Sequence, residues 1–394
     1  MFVKAERMDG GAKVNPDPRA IQFRGAKFCV AVAAYLRPIE EALYLTCFAS
    51  RGVPPTRNVA KGLNSVERAD LLVAKLAAFD APVVLSLDAS RFDKHVSKQH
   101  LEIEHSVYLK SNPHPVFRAL LVCQLLNTVF TSLGIKYRVE GRRMSGDMNT
   151  ALGNCVLMLV MLHAYCEYML HLKRWDTLDD GDDCLLIVEA NAVQEVLDSL
   201  VGRFLEFGME MKVERPVRSV HEVVFCQSTV IEFECGRYKF VRNPFAVMSK
   251  ALCGIRHWED PHYREKVLRA IGACELVLNL SVPVLQNFAL AILRNVGSGA
   301  DVAYAPDGLR ARAQRDARGL GVEITNVGPR PISDCGRESF SIAFGICPAE
   351  QMSMEQQLDA WTFPVGTLNH WGQEWDVANW LPTHARSETY TPSA

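Results

Sequence analysis

The chain has 394 residues, 48% of them hydrophobic, with 43 Lys+Arg against 45 Asp+Glu and a formal net charge of −2. That length allows one large domain or two to three smaller ones around a sizeable core, and the near-neutral balance does not advertise a nucleic-acid binder. Twelve cysteines without a CxxC pair exclude zinc-site spacing, and with no secretory signal before them they read as reduced, mostly buried thiols.

Basic residues gather early, at Lys4, Arg7, Lys13, Arg19, Arg24 and Lys27, as either a local positive groove or a solvated face. Pro16-Asp17-Pro18 forbids helix locally. Residues 39–48 read as a short helix and Val53-Pro54-Pro55 as a loop. Ser65 to Phe79 has helical spacing at Val66, Leu71, Leu72, Leu76 and Phe79, with Asn64 or Ser65 as N-cap and Glu67 in the first turn. Pro82 ends it, and residues 83–88 form a short, β-branched, buried strand. Helices are expected over 95–110 and 115–130, separated by Asn112-Pro113. After Gly134, residues 135–140 alternate like a hairpin strand. Asn149 to Leu172 is apolar nearly all round and should be a buried helix. Its Cys155–Leu162 core stops at His163, short of membrane-spanning length. Residues 184–188 are a second buried strand, and 192–208 an amphipathic helix. Segments 223–233 and 238–241 suggest a hairpin around Gly236. Helices follow over 262–280, 283–296 and 349–361, and the last residues look like a disordered tail. The order implies an α+β fold: a small antiparallel sheet backed by helices, with a helical appendage.

Three phrases carry the chemistry. Asp88 and Asp93 lie in Leu85-Ser86-Leu87-Asp88-Ala89-Ser90-Arg91-Phe92-Asp93, Ser145-Gly146 leads into Thr150 and Asn154, and Gly181-Asp182-Asp183 sits between an acidic stretch and a strand. Gly-Asp-Asp alone is an ordinary turn sequence, so the ordered set matters more than any one member. Carboxylates at the ends of two adjacent strands would meet at one edge. Hard oxygen ligands there suit two divalent ions for nucleotidyl transfer on a nucleoside triphosphate. Asp88 and Asp182 are the expected metal ligands, with Asp183 a third carboxylate. Ser145, Thr150 and Asn154, at intervals of five and four, would share a helical face toward Asp93 and grip a ribose 2′-hydroxyl. An N-cap serine with two satisfied core polar residues is the plainer alternative. Lys212 could protonate a leaving pyrophosphate or be a surface lysine.

Taken together, these phrases resemble the RNA-dependent RNA polymerases of positive-strand RNA viruses, most of all the tombusvirus-related group. Residues 2–22 are similar to motif F of that group, Lys61 to Arg68 to the segment before motif A, Asp88–Asp93 to motif A, Ser145–Asn154 to motif B and Gly181–Asp183 to motif C. Lys212 falls at the motif D lysine, and Phe225-Cys226-Gln227-Ser228 is similar to motif E. Segments 241–244, 282–286 and 338–345 resemble thumb phrases. The resemblance implies a right-hand fold: partial fingers over 1–70, palm over 71–110 and 145–247, a fingers insertion over 111–144, thumb over 248–385 and a tail over 386–394. It further implies template-directed RNA synthesis with two Mg²⁺ or Mn²⁺ ions held by Asp88, Asp182 and Asp183, starting without a protein primer. Lys4 and Arg19 would contact the triphosphate. Asp93, Ser145, Gly146, Thr150 and Asn154 would check the ribose, and Phe225, Cys226 and Gln227 would form the primer grip.

The implied partners are template and nascent RNA, nucleoside triphosphates, and a viral replication-associated protein or an upstream-encoded segment that supplies the rest of the fingers. With no intrinsic transmembrane segment expected, location at membrane-bound replication complexes in the host cytoplasm would depend on a partner. Two alternatives remain. A reverse transcriptase places a bulky aromatic where Asp93 stands. A truncated, inactive RNA-binding replication subunit would have no need of all three aspartates. Asp179-Asp180 before Gly181 departs from the neutral residues of relatives, and would either tighten metal binding or raise nearby carboxyl pKa values.

Overall fold

Four small antiparallel sheets and thirteen α-helices among the described residues make this a mixed α+β fold. The computed structural model describes residues 1–4, 19–47, 52–131, 134–252, 260–297 and 299–362. Arg7, Lys13, Pro16-Asp17-Pro18 and the expected tail over 386–394 lie outside them. The chain divides into two units. The first takes in Met1–Lys4, the segment ending at Gly62 and Leu71–Arg218; the second takes in Leu63–Asp70 and the chain from Ser219 on.

The first unit opens with the paired strands β1 (Phe2–Val3) and β2 (Ala20–Ile21), followed by α1 (Ala26–Leu45). The helix expected from residue 39 starts much earlier and runs through Pro38. Val32, Leu36 and Ile39, spaced four and three apart, bury against Tyr108, Phe117, Leu121, Leu152 and Val156. That continuous apolar stripe outweighs the hydrogen bond the proline removes. Helix α2 (Ser65–Leu76) has the Asn64 cap read from sequence: its Oδ1 accepts from Val66 N at 3.0 Å and Glu67 N at 2.8 Å.

Strand β3 (Pro82–Ala89) leads into α3 (Phe92–His95), α4 (Lys98–Ser111) and α5 (Pro115–Val122). The helix expected over 115–130 ends at Val122. Residues 126–130 form β4 (Leu126–Phe130), paired in register with β5 (Lys136–Glu140). Cross-strand pairing overrides the local helical pattern here, and Gly134 sits at φ +81° between the strands.

Helix α6 (Thr150–His163) continues as a π-helical stretch, Ala164–Met169. The expectation that no segment reaches membrane-spanning length is corrected here. Thr150–Met169 is long and apolar enough, yet 67% of its apolar window is buried inside the fold, as for a core helix.

Strands β6 (Trp175–Asp179) and β7 (Asp183–Glu189), helix α7 (Val193–Glu206) and β8 (Met211–Val213) complete the unit. They build a four-stranded sheet in the order β6-β7-β3-β8. Its helix-packed core joins Leu85, Leu87, Phe92, Leu157, Met158, Tyr165, Trp175, Leu186, Val188, Leu200 and Phe204. Each such side chain contributes roughly 1.5–3 kcal/mol by leaving water.

The second unit holds β9 (Val224–Phe225), β10 (Ser228–Glu234) and β11 (Arg237–Arg242), ordered β11-β10-β9. Helices α8 (Pro244–Ala251), α9 (Pro261–Leu278), α10 (Leu285–Val296), α11 (Asp307–Leu320), α12 (Asp334–Phe344) and α13 (Pro348–Ala360) follow. Ile231, Phe233, Val241, Leu268, Ile271, Phe288, Phe340 and Leu358 share one core. Three of these helices, α8, α11 and α12, are absent from the sequence reading; α11, for one, buries only Ala313, Asp316 and Ala317, small or polar side chains that give a weak apolar signal. Cys235 and Cys335 form a disulfide across 100 residues, which corrects the reading of all cysteines as reduced thiols.

Candidate active site

Strand register sets the site. Along β3 and β7 the buried residues pair from Val83–Val188 to Leu87–Cys184, and the next pair is Asp88 opposite Asp183. Both aspartates are exposed at this edge. The β6–β7 turn is closed by Asp180 N donating to Asp183 O at 2.8 Å, and Gly181 takes φ +98° there, a conformation that favours glycine. Asp182 stands exposed in that turn, its carbonyl accepting from Ala89 N at 3.4 Å. All three carboxylates therefore reach one sheet edge, as their places at strand ends suggested.

On the other side of Asp88, β8 places Lys212 directly opposite in register, with its side chain exposed. Lys212 is thus a strand residue beside the acidic edge, where the sequence showed only that it follows a helix.

Electrostatics mark the same edge. Withdrawal from water, then the negative charges of Asp182, Asp88 and Asp180, raise the Asp183 carboxyl to about 6, with Lys61 opposing. Lys61 Nζ donates to the Asp180 carbonyl at 2.7 Å and pairs with the Asp180 carboxylate. Sequence reasoning named Lys61 only within the segment before motif A and gave it no role, because 119 residues separate it from its partner.

The Asp179-Asp180 departure has two physical outcomes. Asp180 is balanced by Lys61 and helps to raise Asp183. Asp179 is fully buried, and burial holds its carboxyl well above the usual range. Its Oδ1 accepts from Gly181 N at 3.1 Å, and its Oδ2 has no hydrogen-bond partner. The Gly181 contact ties its side chain to the turn.

Among the described residues, no group of three or more His, Cys, Asp or Glu side chains forms a ready-made metal cage. The donor chemistry nevertheless suits a divalent ion. Asp88, Asp182 and Asp183 offer only hard oxygens, and their mutual repulsion is what a cation would relieve.

The residues expected to read the sugar are partly brought together. Asn154 lies on α6 and its Nδ2 donates to Asp93 Oδ1 at 3.0 Å. Ser145 and Thr150 do not share the single helical face expected, since the helix begins only at Thr150. The Ser145 hydroxyl donates to Ala20 O at 3.1 Å, and that of Thr150 to Asp147 O at 2.8 Å. Both hold the lead-in loop. Gly146 N donates to Gln22 O at 2.8 Å, and a Cβ on Gly146 would stand 2.5 Å from that oxygen. Asp147 pairs with Arg24, whose Nη2 also donates to Asn127 Oδ1 at 2.6 Å. Arg24 entered the sequence reading only as one of several early basic residues.

Lys4 and Arg19 sit together in the β1–β2 ladder, Lys4 N donating to Arg19 O at 2.8 Å, with both side chains exposed. In the second unit, Phe225 is buried against Phe240, and Arg68 lies over its ring at 5.8 Å. Cys226 and Gln227 form the two-residue β9–β10 turn, at φ +51° and +60°.

Comparison with known proteins adds three findings. A family model described as viral RNA dependent RNA polymerase matches residues 1–366. An "RNA-directed RNA polymerase" of Oat chlorotic stunt virus (isolate United Kingdom) is 33% identical over 386 residues, covering 93% of this chain and 50% of that protein. Proteins of the same description from Melon necrotic spot virus and Tobacco necrosis virus (strain D) are 34% identical over 372 residues and 35% over 366. They cover 93% and 90% of this chain and 45% and 49% of theirs. The chain spans about half the length of these curated relatives.

Proposed function

Because the chain belongs to the viral RNA-dependent RNA polymerase family, we propose that it carries the nucleotidyl-transfer site of a polymerase that copies an RNA template for a positive-strand genome. The observation that carries this is the direct register of Asp88 with Asp183, beside Asp182 in its glycine turn. In this reading the first unit's four-stranded sheet is the palm, residues 1–70 and 111–144 are fingers, and residues 248–385 are thumb.

Asp88, Asp182 and Asp183 would hold two Mg²⁺ or Mn²⁺ ions, which when bound lower the pKa of the attacking 3′-hydroxyl and neutralise the triphosphate. The protein's own groups do the rest. Lys212, next to Asp88 in register, delivers a proton to the departing pyrophosphate. Lys4 and Arg19 hold the triphosphate by charge. Asp93 accepts a hydrogen bond from the ribose 2′-hydroxyl while Asn154 donates one to its oxygen, a pair of contacts a deoxyribose cannot return. Phe225, Cys226 and Gln227 steady the growing strand. Partner proteins, and through them a location at membranes of the host cytoplasm, belong to the same proposal.

The test is synthesis on a short RNA template with Mn²⁺. Asp182→Ala should lower nucleotide addition by about 10³-fold or more, the scale on which lost transition-state charge stabilisation acts. RNA affinity should persist, because grip on the backbone is a separate electrostatic matter. Near-normal synthesis by the variant would remove Asp182 from the site.

A further inference from the structure

Behind the Asp93–Asn154 pair lies a polar network sealed from water. Glu104 is 0% exposed and Arg143 3%. A charge pair at such depth is tolerated only when its remaining polar atoms are also bonded, and these are. Arg143 Nη1 donates to Glu104 Oε1 at 3.1 Å, and its Nη2 pairs with Oε2. Glu104 Oε1 also accepts from Tyr108 Oη at 2.8 Å and Asn149 Nδ2 at 2.6 Å. Asn149 Oδ1 accepts from Gln124 Nε2 at 2.8 Å. Helix α6 fits over the pair only because residue 153 is glycine, since any Cβ there would collide with both Glu104 and Arg143.

Arg143 uses its remaining donors on the sugar-reading residues. Its Nε donates to Asn154 Oδ1 at 3.0 Å, and its main-chain N donates to Asp93 O at 3.0 Å. A guanidinium has donors and no acceptor. Asn154 must therefore turn its oxygen toward Arg143 and its NH₂ toward the Asp93 carboxylate. Turned the other way, the amide would set N–H against N–H and oxygen against carboxylate.

We propose that Arg143, clamped by Glu104, is a positioning residue for sugar selection: it fixes the orientation of the Asn154 amide and so the donor–acceptor pattern offered to the ribose 2′-hydroxyl. The proposal rests on reading Asp93 and Asn154 as the sugar site. With the amide fixed, one N–H serves Asp93 and the other is free for the 2′-oxygen. Without the clamp the amide turns, and the site loses its preference while still accepting either sugar.

The test uses the whole chain. It measures kcat/KM for ribo- and 2′-deoxynucleotides on a short RNA template with Mn²⁺. Affinities for the same two nucleotides, from competition against a fluorescent nucleotide, give a readout without turnover. Arg143→Lys should lower the ribonucleotide preference about 10-fold through loss on the ribonucleotide alone, leaving the deoxynucleotide within about 2-fold. Glu104→Gln, which keeps the shape of the side chain, should move the ratio the same way, and it decides the matter if Arg143→Lys does not fold. Asn154→Ala should relax the ratio too, and the double variant with Arg143→Lys should lose no more than Asn154→Ala alone. Equal losses for both sugars would make Arg143 a merely structural residue and overturn the proposal, as would additive losses in the double variant. If wild type discriminates and Asn154→Ala leaves the ratio unchanged, the sugar-site reading itself fails and takes this proposal with it.

Discussion

Lys239 shows how a single buried group sets a pH response. It lies 3% exposed on β11, with its Nζ 3.9 Å from Asp316. Burial pushes its ammonium down to about 8; Asp316 opposes this, and Arg330 and Arg242 add to it. In the unfolded chain a lysine titrates near ~10.4. Between those values the unfolded state binds more protons, so stability from this group rises with pH through that window. The penalty is fully present below pH 8. Lys239→Met should abolish the rise, and at pH 7 should stabilise by up to about 3 kcal/mol. Urea unfolding of both proteins at pH 7 to 10 measures it; a difference between them that stays constant with pH would refute the assignment. The site residues show what was legible at this scale. Asp88, Asp182 and Asp183 could be put forward as candidates because residue type and order point to one chemistry. Lys61 and Glu104 could not, because each acts on a partner far along the chain.

At the scale of elements, two glycines predict opposite effects. Gly146 lets the loop before α6 lie against Gln22 and Phe23, and a Cβ there would stand 2.5 Å from Gln22 O and 2.9 Å from Phe23 Cα. Gly146→Ala must displace backbone and should destabilise by about 1–3 kcal/mol. At Gly202, on the exposed face of α7, a Cβ would meet nothing within 4 Å. Gly202→Ala should stabilise by about 0.5–1 kcal/mol through helix propensity. Thermal melts of the two variants separate the cases, and a Gly146→Ala protein as stable as wild type would deny the close approach. The strand over 83–88 was readable because a short β-branched run, buried on both faces, has few other fates. Strand β4 was not, since Leu126–Phe130 takes its conformation from pairing with Lys136–Glu140.

At the scale of the whole molecule, the Cys235–Cys335 disulfide closes 100 residues of chain. Cross-linking so long a loop restricts the unfolded ensemble, so Cys235→Ser should cost about 2–4 kcal/mol. Alkylation of the denatured, unreduced protein should spare these two cysteines; labelling of both would show that the bond is not formed. The sequence by itself determined the α+β class, the family, the capped helix α2, the buried strands and the order of the acidic phrases. Hydrophobic period, turn residues and ordered motifs are local properties that one chain displays without folding. Only tertiary structure decided that Asp88 stands between Asp183 and Lys212 in register, that Lys61 pairs with Asp180, and that Arg143 donates to Asn154. Those facts depend on which distant segments meet and how far each is withdrawn from water, and neither quantity is written in any short stretch of residues.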